Sequence, residues 1–172
     1  MIANQIRDIL VPIAEFPRIQ QDATLHDAFA LLHTQHTSGG WRYRHILVFD
    51  AGNTVVGVLS LQDMLRALMP DYIKATLTPQ HVSSHSVDAS LSLLWQESFP
   101  AQCRQASEIA VASCMTAVRH TVQADKPLTC AAYLMIAHHV HMLPVLEGEQ
   151  VVGVVRIVDI FNQAAAEVLH GG

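Results

Sequence analysis

Residues 45–63, HILVFDAGNTVVGVLSLQD, lie over residues 141–159, HMLPVLEGEQVVGVVRIVD, when the chain is shifted by 96 positions. His45, Leu47, Gly52, Val55, Val56, Gly57, Val58 and Asp63 meet His141, Leu143, Gly148, Val151, Val152, Gly153, Val154 and Asp159, so eight of 19 positions are identical. Ordinary residue usage would give about one. The chain therefore reads as a duplication. Upstream the match continues at a shift of 103, where Asp22, Leu25, Ala28 and Leu31 fall on Asp125, Leu128, Ala131 and Leu134. The change from 103 to 96 leaves seven extra residues in the first copy, assigned to residues 37–44 (TSGGWRYR), where Gly39-Gly40 marks a loop.

Each copy reads as helix, strand, strand, helix. The first helix starts at Asp22 or Thr24 as N-cap and places Leu25, Ala28, Phe29 and Leu32 on one face. Its counterpart opens with Pro127, which suits a first helical turn because the missing N–H has no partner there anyway. Residues 46–49 and 55–59 are β-rich runs joined by Asp50-Ala51-Gly52-Asn53; residues 142–146 and 151–155 are joined by Glu147-Gly148-Glu149-Gln150. A last helix follows each pair, and Pro70 closes the first of them.

Chemistry concentrates where the second strand meets that helix. Ser60 is placed to cap it and Asp63 stands at its third position, a capping-box spacing. The pattern has two readings. One is helix capping alone; the other is a helix N-terminus that receives a phosphate while Asp63 accepts from a ribose hydroxyl pair.

Composition sets the remaining limits. Of 172 residues, 51% are hydrophobic and 15% charged, against roughly 25% charged in an average soluble domain. The net charge of −5 gives no positive field to attract nucleic acid or an anionic membrane. The longest apolar runs, such as 46–49 and 151–155, are strand-sized, and Arg7 and Asp8 interrupt any leader-like pattern, so a cytosolic protein without membrane spans is expected. So little charge also implies that apolar surface meets a partner, most simply a second copy. Cys103, Cys114 and Cys130 have no Cys-x-x-Cys spacing and read as idle thiols. His81 and His85, or His138, His139 and His141, could be metal ligands, but neither group brings cysteines or a His-Glu motif, and no metal is expected. No nucleophile elbow, phosphate-binding loop or carboxylate pair points to catalysis. Arg42, Arg44 and His45, beside Trp41 and Tyr43, read either as a solvated loop or as a reach toward a phosphate. Between the copies, residues 87–99 carry Leu91, Leu94, Trp95 and Ser98 at helical spacing with Asp88 as N-cap, a helix that packs on the module or docks a protein.

A duplicated unit of this kind ending in Gly-x-x-Ser/Thr-x-x-Asp resembles the CBS domain, the module named after cystathionine β-synthase. The resemblance runs over residues 6–68, with Asp22-Ala23-Thr24-Leu25 and GVLSLQD, and over 109–169, with Cys114-Met115, Asp125-Lys126-Pro127-Leu128 and GVVRIVD. It implies an α+β fold, a tandem CBS-domain pair with a helical linker insertion: a first copy at 1–69, a partly helical linker at 70–107 and a second copy at 108–172. It also implies sheets packed about a pseudo-twofold axis, pairing of modules into a homodimer, and clefts for an adenosine-containing ligand such as AMP, ADP, ATP or S-adenosylmethionine.

Carried over residue by residue, the first site holds Ser60 and Asp63, with Ile19, Gln20, His45 and Ile46 near the base. The second holds Asp159, with Thr121, Val122, His141, Met142 and Pro144. Arg156 stands where Ser60 does, a long cation in place of a hydroxyl, able to grip a phosphate or to fill the cleft and pair with an acid. The expected function is a stand-alone regulatory module that requires no cofactor, catalyses nothing, senses an adenosyl ligand and signals to an unidentified effector protein. The alternative is a ligand-free dimerisation module with side chains such as Arg156 filling the clefts.

Overall fold

Apolar runs bounded by turn residues become strands, and three- and four-residue apolar spacing becomes helices, in the order the repeat predicts. The computed structural model describes residues 5–36, 42–77 and 89–170. In chain order these hold β1 (Val11–Pro12), β2 (Arg18–Gln20), α1 (Leu25–His36), β3 (His45–Phe49), β4 (Val55–Ser60), α2 (Leu61–Ala67), α3 (Asp71–Lys74), α4 (Ala89–Ser107), β5 (Thr116–Ala117), β6 (Val122–Gln123), α5 (Leu128–His138), β7 (Met142–Glu147), β8 (Gln150–Arg156) and α6 (Ile157–His170). The result is the expected α+β fold with two four-stranded sheets, β2-β3-β4-β5 and β1-β8-β7-β6. The chain divides into two compact units, one of residues 17–117 and one of residues 1–16 with 118–172, called here the split unit. No described helix is long and apolar enough to cross a membrane.

In the 17–117 unit β2 runs parallel to β3, and β3, β4 and β5 are antiparallel. Ile46, Leu47, Val48 and Phe49 are all buried, so β3 is covered on both faces. Helix α1 buries Leu25, Ala28 and Leu32 as its spacing predicts, but Phe29, assigned to the same face, is 38% exposed. Thr24 caps it: Oγ1 accepts from the Asp27 N–H at 3.3 Å, and the Thr24 N–H and hydroxyl donate to Asp27 Oδ2 at 3.0 and 2.8 Å. Those bonds, the backbone one foremost, hold the Asp27 carboxyl below its ordinary range.

The linker helix α4 extends eight residues past Phe99, its expected end, with Pro100 inside it. An interior proline removes one hydrogen bond and costs about 3 kcal/mol. The helix continues because Ala106, 3% exposed, anchors its last turn in the core. The expected cap Asp88 and residues 78–87, with His81 and His85, lie outside the described residues, as do residues 37–41.

The split unit centres on Ile6, Val122, Ala124, Ala131, Met135, Leu143, Val145 and Val155. Pro127 is the N-cap of α5 rather than its first residue, with φ −60° and ψ 151°. Its φ fits either place; its ψ is extended. At the other end His139 adopts the left-handed conformation, φ 53°, and Val140 N–H donates to the Met135 carbonyl at 3.1 Å.

Segments exchange between the copies. Residues 5–12 open the first copy in sequence but complete the split unit: Ile6 N–H donates to Lys126 O at 3.0 Å and β1 pairs with β8. Residues 109–117 open the second copy but complete the 17–117 unit: Val111 N–H donates to Ala23 O at 2.8 Å and β5 pairs with β4. Gly57 and Gly153 sit where these incoming segments cross. A Cβ on Gly153 would strike the Val11 carbonyl oxygen and the Leu10 side chain; one on Gly57 would strike Met115. The duplication led to expected boundaries at 69/70 and 107/108; packing divides the chain at 16/17 and 117/118.

Pairing also revises the alignment of the copies. Ile19 pairs with Val48 and Val122 with Val145; the β-bulges lie at Val48/Phe49 and Val145/Leu146; Leu61 N–H donates to Arg44 O and Ile157 N–H to His141 O. Each places β3 on β7 at a shift of 97, not 96, while β4 and β8 keep 96. His45 is thus the counterpart of Met142, and Arg44 that of His141. The identities of His45, Leu47 and Gly52 with His141, Leu143 and Gly148 are out of structural register. Of the seven extra residues, six precede β3 and one lengthens the β3–β4 turn. That turn places Asn53 at φ 61°, whereas the shorter one places Gly148 at φ 62°.

Candidate functional site

Two strand-to-helix junctions carry the motif aspartates. In the 17–117 unit β4 ends at Ser60, directly opposite His45 in the ladder, and α2 begins at Leu61. The Asp63 N–H donates to Ser60 Oγ at 3.1 Å, while the Ser60 N–H and hydroxyl donate to Asp63 Oδ2 at 2.9 and 2.6 Å, so the predicted capping box is formed. Asp63 is 9% exposed. Among the described residues its other oxygen, Oδ1, has only long partners, the Thr116 hydroxyl at 3.5 Å and Arg66 Nη1 at 3.9 Å. Thr116 and Arg66 are absent from the sequence-derived site. Arg66 was open to discovery from its i, i+3 spacing to Asp63. Thr116 was not, because it belongs in sequence to the other copy.

The remaining first-site residues are spread along the sheet. Ile46 is fully buried behind His45. Ile19 is half-buried opposite Val48, and Gln20 is exposed opposite Phe49. Four residues of strand, about 13 Å, separate Phe49 from His45. The ladder therefore gathers Ser60, Asp63 and His45, but not Gln20.

In the split unit β8 ends at Arg156, opposite Met142, and α6 begins at Ile157. Asp159 Oδ2 accepts from the Arg156 N–H at 2.9 Å, as its counterpart accepts from Ser60. The Arg156 guanidinium then folds back on the same carboxylate, Nε to Oδ2 at 2.9 Å and Nη2 to Oδ1 at 2.6 Å. This two-pronged fork engages both oxygens, with the side chains only 22% and 12% exposed. In this arrangement Arg156 is paired with an acid, Asp159.

Met142, Pro144 and Val122 are buried, while Thr121 and His141 are exposed. Thr121 is one residue before Val122, which pairs with Val145, so its counterpart in the other unit is Arg18 rather than Ile19. The His138 ring stacks on that of His120 at 3.7 Å, near parallel, rather than turning toward a shared ion. Among the described residues no group of three or more histidine, cysteine or acidic side chains is placed to hold a metal. Cys103, Cys114 and Cys130 are free and half-buried, and burial pushes the Cys114 thiol up.

Against known proteins, the family model described as CBS domain matches residues 6–70 and 108–166. No curated protein matches the chain. Among solved structures, the fold is similar to a CBS-pair protein, CBSX2, from Arabidopsis thaliana, 17% identical over 96% of both chains with a TM-score of 0.66. It is also similar to a CBS-domain containing protein from Agrobacterium tumefaciens, 16% identical over 95% of both chains with a TM-score of 0.65. A structure of CBSX2 in complex with AMP is 19% identical over 96% of this chain and 98% of that one, with a TM-score of 0.63.

Proposed function

Because the chain belongs to the CBS domain family, we propose that it is a regulatory module that senses an adenosine-containing ligand and catalyses nothing. The observation that carries the reading is the Ser60–Asp63 junction. It unites a hydroxyl-capped helix start with a carboxylate whose Oδ1, among the described residues, has no partner closer than 3.5 Å. A ribose diol offers two O–H donors to such an acceptor, and Ser60 stands beside it to meet phosphate. The similar structure of CBSX2 in complex with AMP supports the ligand class; ADP, ATP and S-adenosylmethionine belong to the same class.

Binding favours whichever arrangement of the module presents the better site, and the shift is read by a protein partner. Such a module works in the cytoplasm as a homodimer. Supporting that state, Tyr133 and Ile136 on α5 and Phe161 on α6 are exposed by 70%, 72% and 66%, in a chain with only 15% charged residues.

Thermal melts with AMP, ADP, ATP, NAD and S-adenosylmethionine test the reading. A ligand at 100 times its Kd adds about 2.7 kcal/mol of stability, so at least one compound should raise Tm by several degrees. No shift with any of them overturns it.

A further inference from the structure

The residue that precedes each helix and bonds its motif aspartate differs between the two junctions, Ser60 in one and Arg156 in the other. Arg156 spans both oxygens of Asp159, at 2.9 Å through Nε and 2.6 Å through Nη2. The equivalent Ser60 reaches only Oδ2 of Asp63 and leaves Oδ1 to partners at 3.5 and 3.9 Å. The Arg156 side chain is 22% exposed and that of Asp159 12%, so the ion pair is mostly withdrawn from water.

We propose that Arg156 is an internal occupant of the split unit's site, so that the chain takes one adenosyl ligand, at Ser60 and Asp63, rather than two. The proposal rests on the adenosine reading above and adds which unit performs it. A carboxylate that already accepts from a guanidinium at both oxygens is a poor acceptor for a ribose diol. A neutral diol offers no charge to replace the guanidinium, so displacing Arg156 exchanges a two-pronged, charge-assisted contact for neutral hydrogen bonds. The Arg156 N–H bond to Asp159 survives loss of the side chain, so Arg156→Ser rebuilds the capping box of the other unit without stripping the start of α6.

Stoichiometry by isothermal titration with AMP, repeated with ATP, tests the assignment. The unaltered chain should bind one equivalent, Arg156→Ser about two, and Asp63→Ala none. Asp159→Ala in the otherwise unaltered chain should still bind one, which keeps the test alive should Arg156→Ser fail to fold. Two equivalents in the unaltered chain, or one equivalent in a folded Arg156→Ser, would remove the role of Arg156 and leave the adenosine reading standing. Binding by neither protein, with either nucleotide, would remove both.

Discussion

The two copies share a backbone plan and diverge in what holds each motif aspartate. At the 17–117 junction a hydroxyl of one residue touches Asp63 and leaves one carboxylate oxygen with long partners. At the split unit's junction a guanidinium takes both oxygens of Asp159. The same position in the fold thus pairs with a hydroxyl in one copy and forms an internal ion pair in the other. Duplication preserves the scaffold, because the capping bond from residue 60 or 156 to its aspartate is made by the backbone N–H, which any non-proline residue supplies. The side chain at that position remains open to change.

The scaffold half of the comparison breaks most readily at the paired glycines. Gly153→Ala should cost about 3 kcal/mol, because the new methyl meets the backbone of Val11, which has nowhere to go. Gly57→Ala should cost about 1 kcal/mol, because the thioether of Met115 can swing aside and the Thr116 carbonyl, 3.1 Å from the new Cβ, has only a small distance to give. Urea unfolding midpoints compare the two; equal losses would mean that the incoming segments are not the constraint.

The carboxylates themselves come next. Asp159→Ala removes a helix cap and the guanidinium's ion pair with it, at about 2 kcal/mol, below a fully buried pair because the guanidinium keeps some exposure. Asp63→Ala removes a cap and one long ion pair, to Arg66 at 3.9 Å, whose exposed guanidinium water can solvate, at about 1 kcal/mol. If Asp63→Ala proves the costlier in the same unfolding assay, the contrast between the junctions fails.

The smallest effect concerns the connection before the first hairpin strand, which is six residues shorter in the split unit. His139 makes that reversal at φ 53°. His139→Gly should raise stability by about 0.5–1 kcal/mol, since glycine adopts this conformation without a Cβ penalty. An unchanged or lowered midpoint would show that the His139 ring contributes packing that outweighs its strain.

Much of this was legible in residue order because the signals are local. Apolar periodicity located α1, β3, β4 and their counterparts, and the Ser-x-x-Asp spacing gave a capping box that forms as drawn. The alignment of the copies was legible only in part. Sliding one sequence over the other without gaps rewarded the chance identity of His45 with His141, whereas hydrogen-bond register sets His45 against Met142. One residue added in a turn shifts a whole strand, and identities near a turn cannot report it. The linker helix was also legible only in part: its apolar spacing reached Phe99, yet α4 runs on to Ser107, where Ala106 is buried.

Residue order fixed the duplicated helix, strand, strand, helix plan, the two motif aspartates and the cation at 156, since each depends on neighbours within a few positions. Three things waited for the folded chain: the exchange of residues 5–12 and 109–117 between copies, the approach of Thr116 to Asp63, and the choice of Arg156 for Asp159 rather than for open solvent. The first two join segments more than 50 residues apart, and the third depends on how far a side chain is withdrawn from water. Separation along the chain carries no record of either.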